Sequence, residues 1–216
     1  MKSFLLTLLL AMPAAAQPAL QYLVLGDSTA AGEGGRYEEG IAVLTAARLG
    51  EGRKVTMTNL AVSGAQVRDV LVEQLPRVKD LRPDLVLLSV GANDVTHLTP
   101  VRSMRRDLRA VIAQLRERNP EVAIVITGSP DMGSPPRIPR LLRGLASCRT
   151  KQVNRMFVAE AAALGLTFAP IAEVTGPMFR QDRSLFAADR FHPNERGYAT
   201  WVPVLNAALA KALPLP

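Results

Sequence analysis

Four side chains of this sequence can be assembled into acyl-transfer chemistry: Ser28, Asn93, Asp189 and His192. They lie in three short segments far apart in the chain, Gly26-Asp27-Ser28, Gly91-Ala92-Asn93-Asp94 and Asp189-Arg190-Phe191-His192-Pro193. A hydroxyl, an imidazole, a carboxylate and a side-chain amide supply a nucleophile, a base, an orienter for the base and an oxyanion donor. That set suffices for hydrolysis through a serine ester. Ser28 follows the apolar run Leu23-Val24-Leu25, which predicts a hydroxyl held at a strand tip. Asp189 and His192 are three residues apart, close enough for the carboxylate to fix the imidazole tautomer. The chain has only two histidines, and the other, His97, reads as a solvated loop residue or a pocket-lining one.

The elements that must position these groups alternate between strand and helix, the pattern of a parallel sheet covered on both faces. Strands are predicted over Leu20–Leu25, Val55–Val62, Leu85–Val90, Val122–Thr127 and Thr167–Ile171. Helices are predicted over Ile41–Leu49, Gln66–Val78, Val101–Arg118, Thr150–Leu164 and Asn194–Leu213. Pro76 is expected to end or bend the second helix, and Pro203 to kink the last. In open sheets of this type ligands bind beyond the carboxyl ends of the strands. Ser28 follows the first strand, Gly64 the second and Asn93 the third, so pattern alone brings three of the groups to one edge. His192 has to arrive from the loop before the last helix.

Four segments, in order, resemble the signature blocks of the SGNH hydrolases, the GDSL esterase/lipase family. They are G-D-S-T at residues 26–29, N-L-A-V-S-G-A at 59–65, G-A-N-D at 91–94 and D-R-F-H-P at 189–193. The resemblance implies a single three-layer α/β/α domain with a flavodoxin-like parallel sheet of about five strands. It also implies that Ser28 is the nucleophile and His192 the general base, oriented by Asp189. The oxyanion hole would be the backbone N–H groups of Ser28 and Gly64 with the side-chain amide of Asn93. Family members act on simple esters, acyl thioesters, lysophospholipids and acetylated sugars, with no cofactor. Thr29 replaces the leucine of many G-D-S-L blocks and reads as chemically idle.

At 216 residues, with 48% hydrophobic and 21% charged residues, the chain is long enough for one domain with a sizeable core. Its net charge of +7 reads first as a solvated, arginine-rich surface, with attraction to anionic lipid, cell-wall polymer or nucleic acid as the alternative. No run of five like charges and no interleaved aromatics point to nucleic acid. Residues 1–16 carry Lys2, an apolar stretch from Phe4 to Met12 and Ala14-Ala15-Ala16, the order of a cleavable export signal. The stretch is too short to span a bilayer as a stable helix. The expected mature domain is 17–216, beginning at Gln17 and working in the periplasm or outside the cell. Cys148, the single cysteine, rules out an internal disulfide and reads as a small buried residue.

The remaining features have plainer readings. Asp27 reads as a structural acid bonded to nearby backbone, and Asn59 as a side chain that pins a loop. Asp182 is the rival orienter for His192, disfavoured by the D-x-x-H-P spacing. At Gly64 a side chain is expected to obstruct the amide. Gly32-Glu33-Gly34-Gly35 lacks the ending of a P-loop and reads as a flexible connection. Residues 130–147 hold Pro130, Pro135, Pro136, Pro139, Arg137, Arg140 and Arg143. They form either a substrate-facing loop suited to an anionic headgroup or a stiff solvated connection. No cluster of His, Cys, Asp or Glu has metal-ligand spacing.

Overall fold

The computed structural model describes residues 18–213. The proposed export signal, residues 1–16, lies outside the described residues. Five strands, β1 (Leu20–Gly26), β2 (Val55–Asn59), β3 (Leu85–Ser89), β4 (Ala123–Ile126) and β5 (Thr167–Phe168), form one sheet in the order β2-β1-β3-β4-β5. Every pairing is parallel. The register sets Tyr22 beside Leu85 and Gly26 beside Ser89, so β1 and β3 end level with each other.

Alternation along the central strands feeds two cores. Leu23, Leu25, Val86 and Leu88 face one layer, while Tyr22, Val24, Leu85 and Leu87 face the other. This explains why β1 and β3 read as continuous apolar runs: a parallel strand covered on both faces has no polar side. The first helices in chain order are α1 (Ser28–Ala31), α2 (Ile41–Leu49), α3 (Val67–Asp69) and α4 (Ala92–Thr96). They are followed by α5 (Val101–Arg118), α6 (Arg143–Leu164), α7 (Ile171–Gln181) and α8 (Glu195–Ala212). The first core takes α3, α5 and α6, and the second takes α2, α7 and α8. The expected three-layer, flavodoxin-like architecture is therefore present. Its strand order reverses between β1 and β3, opening a crevice at their carboxyl ends.

Several boundaries differ from the sequence reading. β2 stops at Asn59 rather than Val62, because the Asn59 Oδ1 accepts the Ala61 N–H at 3.0 Å and turns the chain. The predicted helix 66–78 is α3 followed by a π-turn (Val70–Gln74) and a 3-10 turn (Leu75–Val78). Pro76 has no N–H to continue the α ladder. The wide turn also carries Gln74 inward, where its buried amide donates to the Gly26 carbonyl at 2.7 Å and accepts the Gly26 N–H at 3.0 Å. Helix α6 begins at Arg143, not Thr150, after a 3-10 turn at Arg140–Leu142. That extension corrects the reading of Cys148: Thr150 and Val153 face the core, and Cys148 is exposed.

Helix α7 was not expected, because Gly176 and Pro177 interrupt its pattern. Its buried face of Ile171, Thr175 and Phe179 nevertheless holds it to the second core. β5 ends at Phe168 rather than Ile171, since Pro170 caps α7. Helix α8 is capped by Asn194, whose side chain accepts the Gly197 N–H at 3.0 Å, and it runs on through Pro203.

Candidate active site

Ser28 is the first residue of α1, directly after β1, so strand pairing fixes its backbone. Asp27 caps that helix, accepting the Thr29 N–H at 3.0 Å and the Thr29 hydroxyl at 2.8 Å. Thr29 Oγ1 lies 3.1 Å from Ser89 Oγ, which in turn lies 3.2 Å from Thr127 Oγ1. A line of buried hydroxyls therefore runs from Thr127, just after β4, through Ser89 and Thr29 to Asp27, the residue before Ser28. Thr29 has a structural part here, supplying two donors to a carboxylate that is only 1% exposed. Burial raises the pKa of Asp27, while the Thr29 groups, the Ala92 N–H and the charge of His192 act in the opposite direction.

The histidine arrives on the loop between a 3-10 turn (Arg183–Leu185) and α8. His192 Nε2 lies 2.9 Å from Ser28 Oγ, and His192 Nδ1 lies 2.5 Å from Asp189 Oδ2. The other carboxylate oxygen of Asp189 accepts the Phe191 N–H at 2.9 Å and the His192 N–H at 3.1 Å. Arg190 takes a left-handed conformation, φ 61°, which folds the backbone back onto the Asp189 carboxylate. Burial would raise the pKa of Asp189, but the bonds from Phe191 and His192 outweigh it and hold the carboxyl below its ordinary range. Asp182 is engaged elsewhere, accepting from the Ser184 N–H and hydroxyl. A carboxylate, an imidazole and a hydroxyl in series is the arrangement that makes a serine nucleophilic.

The three proposed oxyanion donors are linked through their neighbours: the Val62 N–H donates to the Gly26 carbonyl at 3.1 Å, and Asn93 reaches Ala65, the residue after Gly64. Asn93, in the first turn of α4, gives one N–H to the Ala65 carbonyl at 3.1 Å and keeps its second for another acceptor. Neither the Ser28 N–H nor the Gly64 N–H has an acceptor among the described residues. A Cβ on Gly64 would meet no protein atom within 4 Å, and its φ of +87° is disfavoured for any side chain. Asp94 ties the two donor segments together, its Oδ2 accepting the Val67 N–H at 3.1 Å. Burial lifts the Asp94 carboxyl to about 6. His97 is exposed and lies 2.8 Å from the Asn93 carbonyl through Nδ1, at the end of α4.

Gly34 corrects the reading of the glycine segment as a loose connection. A Cβ on Gly34 would come within 2.5 Å of the Pro193 carbonyl oxygen and 2.7 Å of the His192 Cβ. Its backbone is a wall against the histidine loop, tied down by the Tyr198 hydroxyl donating to the Glu33 carbonyl at 2.5 Å. Neither this wall nor the clamp by Gln74 has a local sequence signature, since both depend on residues distant in the chain. Asn59, as expected, pins a loop, donating to the Ala30 carbonyl at 2.9 Å. A narrow cavity of about 30 Å³ opens beside Ser28 and His192, lined by Met132, Phe179, Phe186, Phe191 and Trp201 among others. The segment after β4 borders it through Pro130 and Pro135. Among the described residues, no three His, Cys, Asp or Glu side chains are grouped to hold a metal.

Comparison with known proteins places this geometry. The chain is 34% identical over 197 residues to a GDSL-like esterase of Mycobacterium tuberculosis, covering 88% of this chain and 62% of that protein. It is 33% identical over 122 residues to an arylesterase of Vibrio mimicus, covering 56% of this chain and 60% of that protein. The chain thus spans about three fifths of the length of each relative. A crystal structure of a lipolytic G-D-S-L protein from Veillonella parvula shares the fold, with a TM-score of 0.73 at 18% identity over 89% of this chain and 100% of that one. The model of the GDSL-like lipase/acylhydrolase family matches residues 24–200. On that match, the chain belongs to the GDSL-like lipase/acylhydrolase family.

Proposed function

We propose that this protein is a serine esterase that hydrolyses short- or medium-chain carboxylic esters through an acyl-enzyme. The observation that carries the reading is the unbroken series from Asp189 through His192 to Ser28, at 2.5 and 2.9 Å, opening on the crevice at the sheet's switch point. In this reading His192 takes the proton of Ser28 as its oxygen attacks the ester carbonyl. The Ser28 N–H, the Gly64 N–H and the free Asn93 N–H hold the oxyanion, and His192 then protonates the leaving alcohol. Water releases the acyl group by the same steps in reverse. The esterase and arylesterase relatives support the reaction class. A short or medium acyl group is supported by the segment that borders the cavity through Pro130 and Pro135, which is broken by prolines and cationic rather than a long apolar cover for a fatty tail.

A fluorophosphonate probe followed by mass spectrometry tests the reaction. Labelling at Ser28, with butyryl aryl esters cleaved faster than palmitoyl ones, is expected. An inert Ser28 would favour a protein that kept the fold only to bind a glycan or lipid. We also propose export with cleavage after Ala16, supported by the order of Lys2, the apolar stretch and three alanines. N-terminal sequencing of the native protein checks it, and a chain still beginning at Met1 would contradict it.

A further inference from the structure

Four exposed leucines lie on two adjoining elements, three of them at residues 141–145 and one just after α4. Leu141 is 97% exposed, Leu98 66%, Leu145 64% and Leu142 51%. Single exposed aliphatics are ordinary, but a group on adjoining elements needs a cause. Leu141 lies in the 3-10 turn before α6 and Leu145 in the first turn of α6, while Ala146 packs into the first core. Leu98 follows α4, and the Arg149 guanidinium on α6 bonds the carbonyl of its neighbour Thr99, placing both elements on the same side. Leu98 also holds a left-handed φ of 54°, disfavoured for leucine, without any burial in return.

The same face is cationic. From Met132 to Ala159 the sequence has six lysines and arginines and no carboxylate. Arg143 and Arg149 bond backbone carbonyls. Arg140, Lys151 and Arg155 are exposed and make no ion pair or side-chain hydrogen bond among the described residues. The face adjoins the proposed site directly: the Arg137 N–H donates to the Arg190 carbonyl at 2.9 Å, and the Arg137 guanidinium sits 5.7 Å over the Phe191 ring.

We propose that this face docks peripherally on an anionic phospholipid surface. The leucines enter the headgroup layer and the cations pair with lipid phosphates, which brings the crevice to the membrane's ester-bearing molecules. The last clause rests on the esterase reading; the docking does not. No helix among the described residues is long and apolar enough to cross a membrane, so the attachment is interfacial. A nucleic acid would satisfy the cations and leave four leucines in water. A second copy of this face would set like charges against each other.

Sedimentation of the full chain with phosphatidylcholine vesicles, with and without phosphatidylglycerol, tests the proposal. Binding is expected only with phosphatidylglycerol and should fall as salt rises. Arg140→Glu should weaken it about fivefold or more, and Leu141→Ser with Leu145→Ser about tenfold or more. These exposed variants should hydrolyse a soluble butyryl ester at the wild-type rate. Ser28→Ala should bind vesicles as the wild type does, whether or not the esterase reading holds. The proposal is overturned if the anionic vesicles do not sediment the protein, or if binding ignores the leucine changes. It is equally overturned if the leucines instead mediate a dimer in solution, or if single-stranded DNA competes the protein off and binds independently of them.

Discussion

Ser28 stands at the end of a strand buried on both faces, whereas His192 hangs from an irregular loop whose Asp189 side chain is 35% exposed. Around Ser28 the polar groups close on one another across elements distant in the chain: Gln74 on Gly26, Thr29 on Asp27, and Ser89 and Thr127 beyond. Around His192 the bonds that orient the ring come from Asp189, three residues away. The first region is fixed by the fold, and damage to it should cost stability. In the second the ring is oriented by its own short sequence, with Gly34 and Arg137 bordering the loop, and damage to that orientation should cost activity in a protein that still folds.

Asp189→Asn gives the largest expected separation. The amide can pair with the wrong imidazole tautomer, and loss of such an orienter costs about 10⁴ in kcat. Kinetics with thermal melts check it: kcat falls by roughly that factor with little change in melting temperature. Unchanged kcat would show that the carboxylate only shapes the loop. Asn93→Ala comes next, with kcat lowered about 10²–10³ and KM nearly unchanged if the amide meets charge that develops in the transition state. A lowered melting temperature with near-normal kcat would make it a turn residue instead.

Thr29→Val tests the buried region. Removing the hydroxyl leaves the Asp27 carboxylate short of a donor, which should cost about 1–3 kcal/mol in denaturant unfolding while kcat stays within about threefold. A loss of activity without a loss of stability would erase the distinction between the two regions. Asp94→Asn should act through pH alone. Burial raises this carboxyl from 3.8 to about 6, so the folded state favours its protonated form. Stability from this group is full below about 4 and is lost as pH rises through about 6, by roughly 3 kcal/mol. Melting temperature plotted against pH should therefore fall less steeply between 4 and 7 in the variant, and an unchanged slope would contradict the burial argument.

The two regions also differ in how far the sequence reveals them. β1, β3 and the helix α5 are legible because burial on two faces, or on one helical stripe, leaves a periodic apolar pattern. The meeting of Ser28 with His192 is not periodic, and only the order of the four blocks points to it. Gln74, Gly34 and the Thr29 hydroxyl escape the sequence because each acts on a residue brought near by the fold. Helix α7 escapes because its Gly176 and Pro177 are breakers in isolation, tolerated here by the buried side of the helix. Cys148 was misplaced because the helix start was: the Pro- and Arg-rich segment hides the first two turns of α6.

The central claim is that Ser28 and His192 act as one unit. Steady-state hydrolysis of a butyryl aryl ester by Ser28→Ala, His192→Ala and the double variant tests it most directly. Each single change should lower kcat by about 10⁴ or more, and the double change should lower it little further, because either loss already removes the shared step. Losses that multiply in the double variant, in proteins that melt as the wild type does, would contradict a common mechanism.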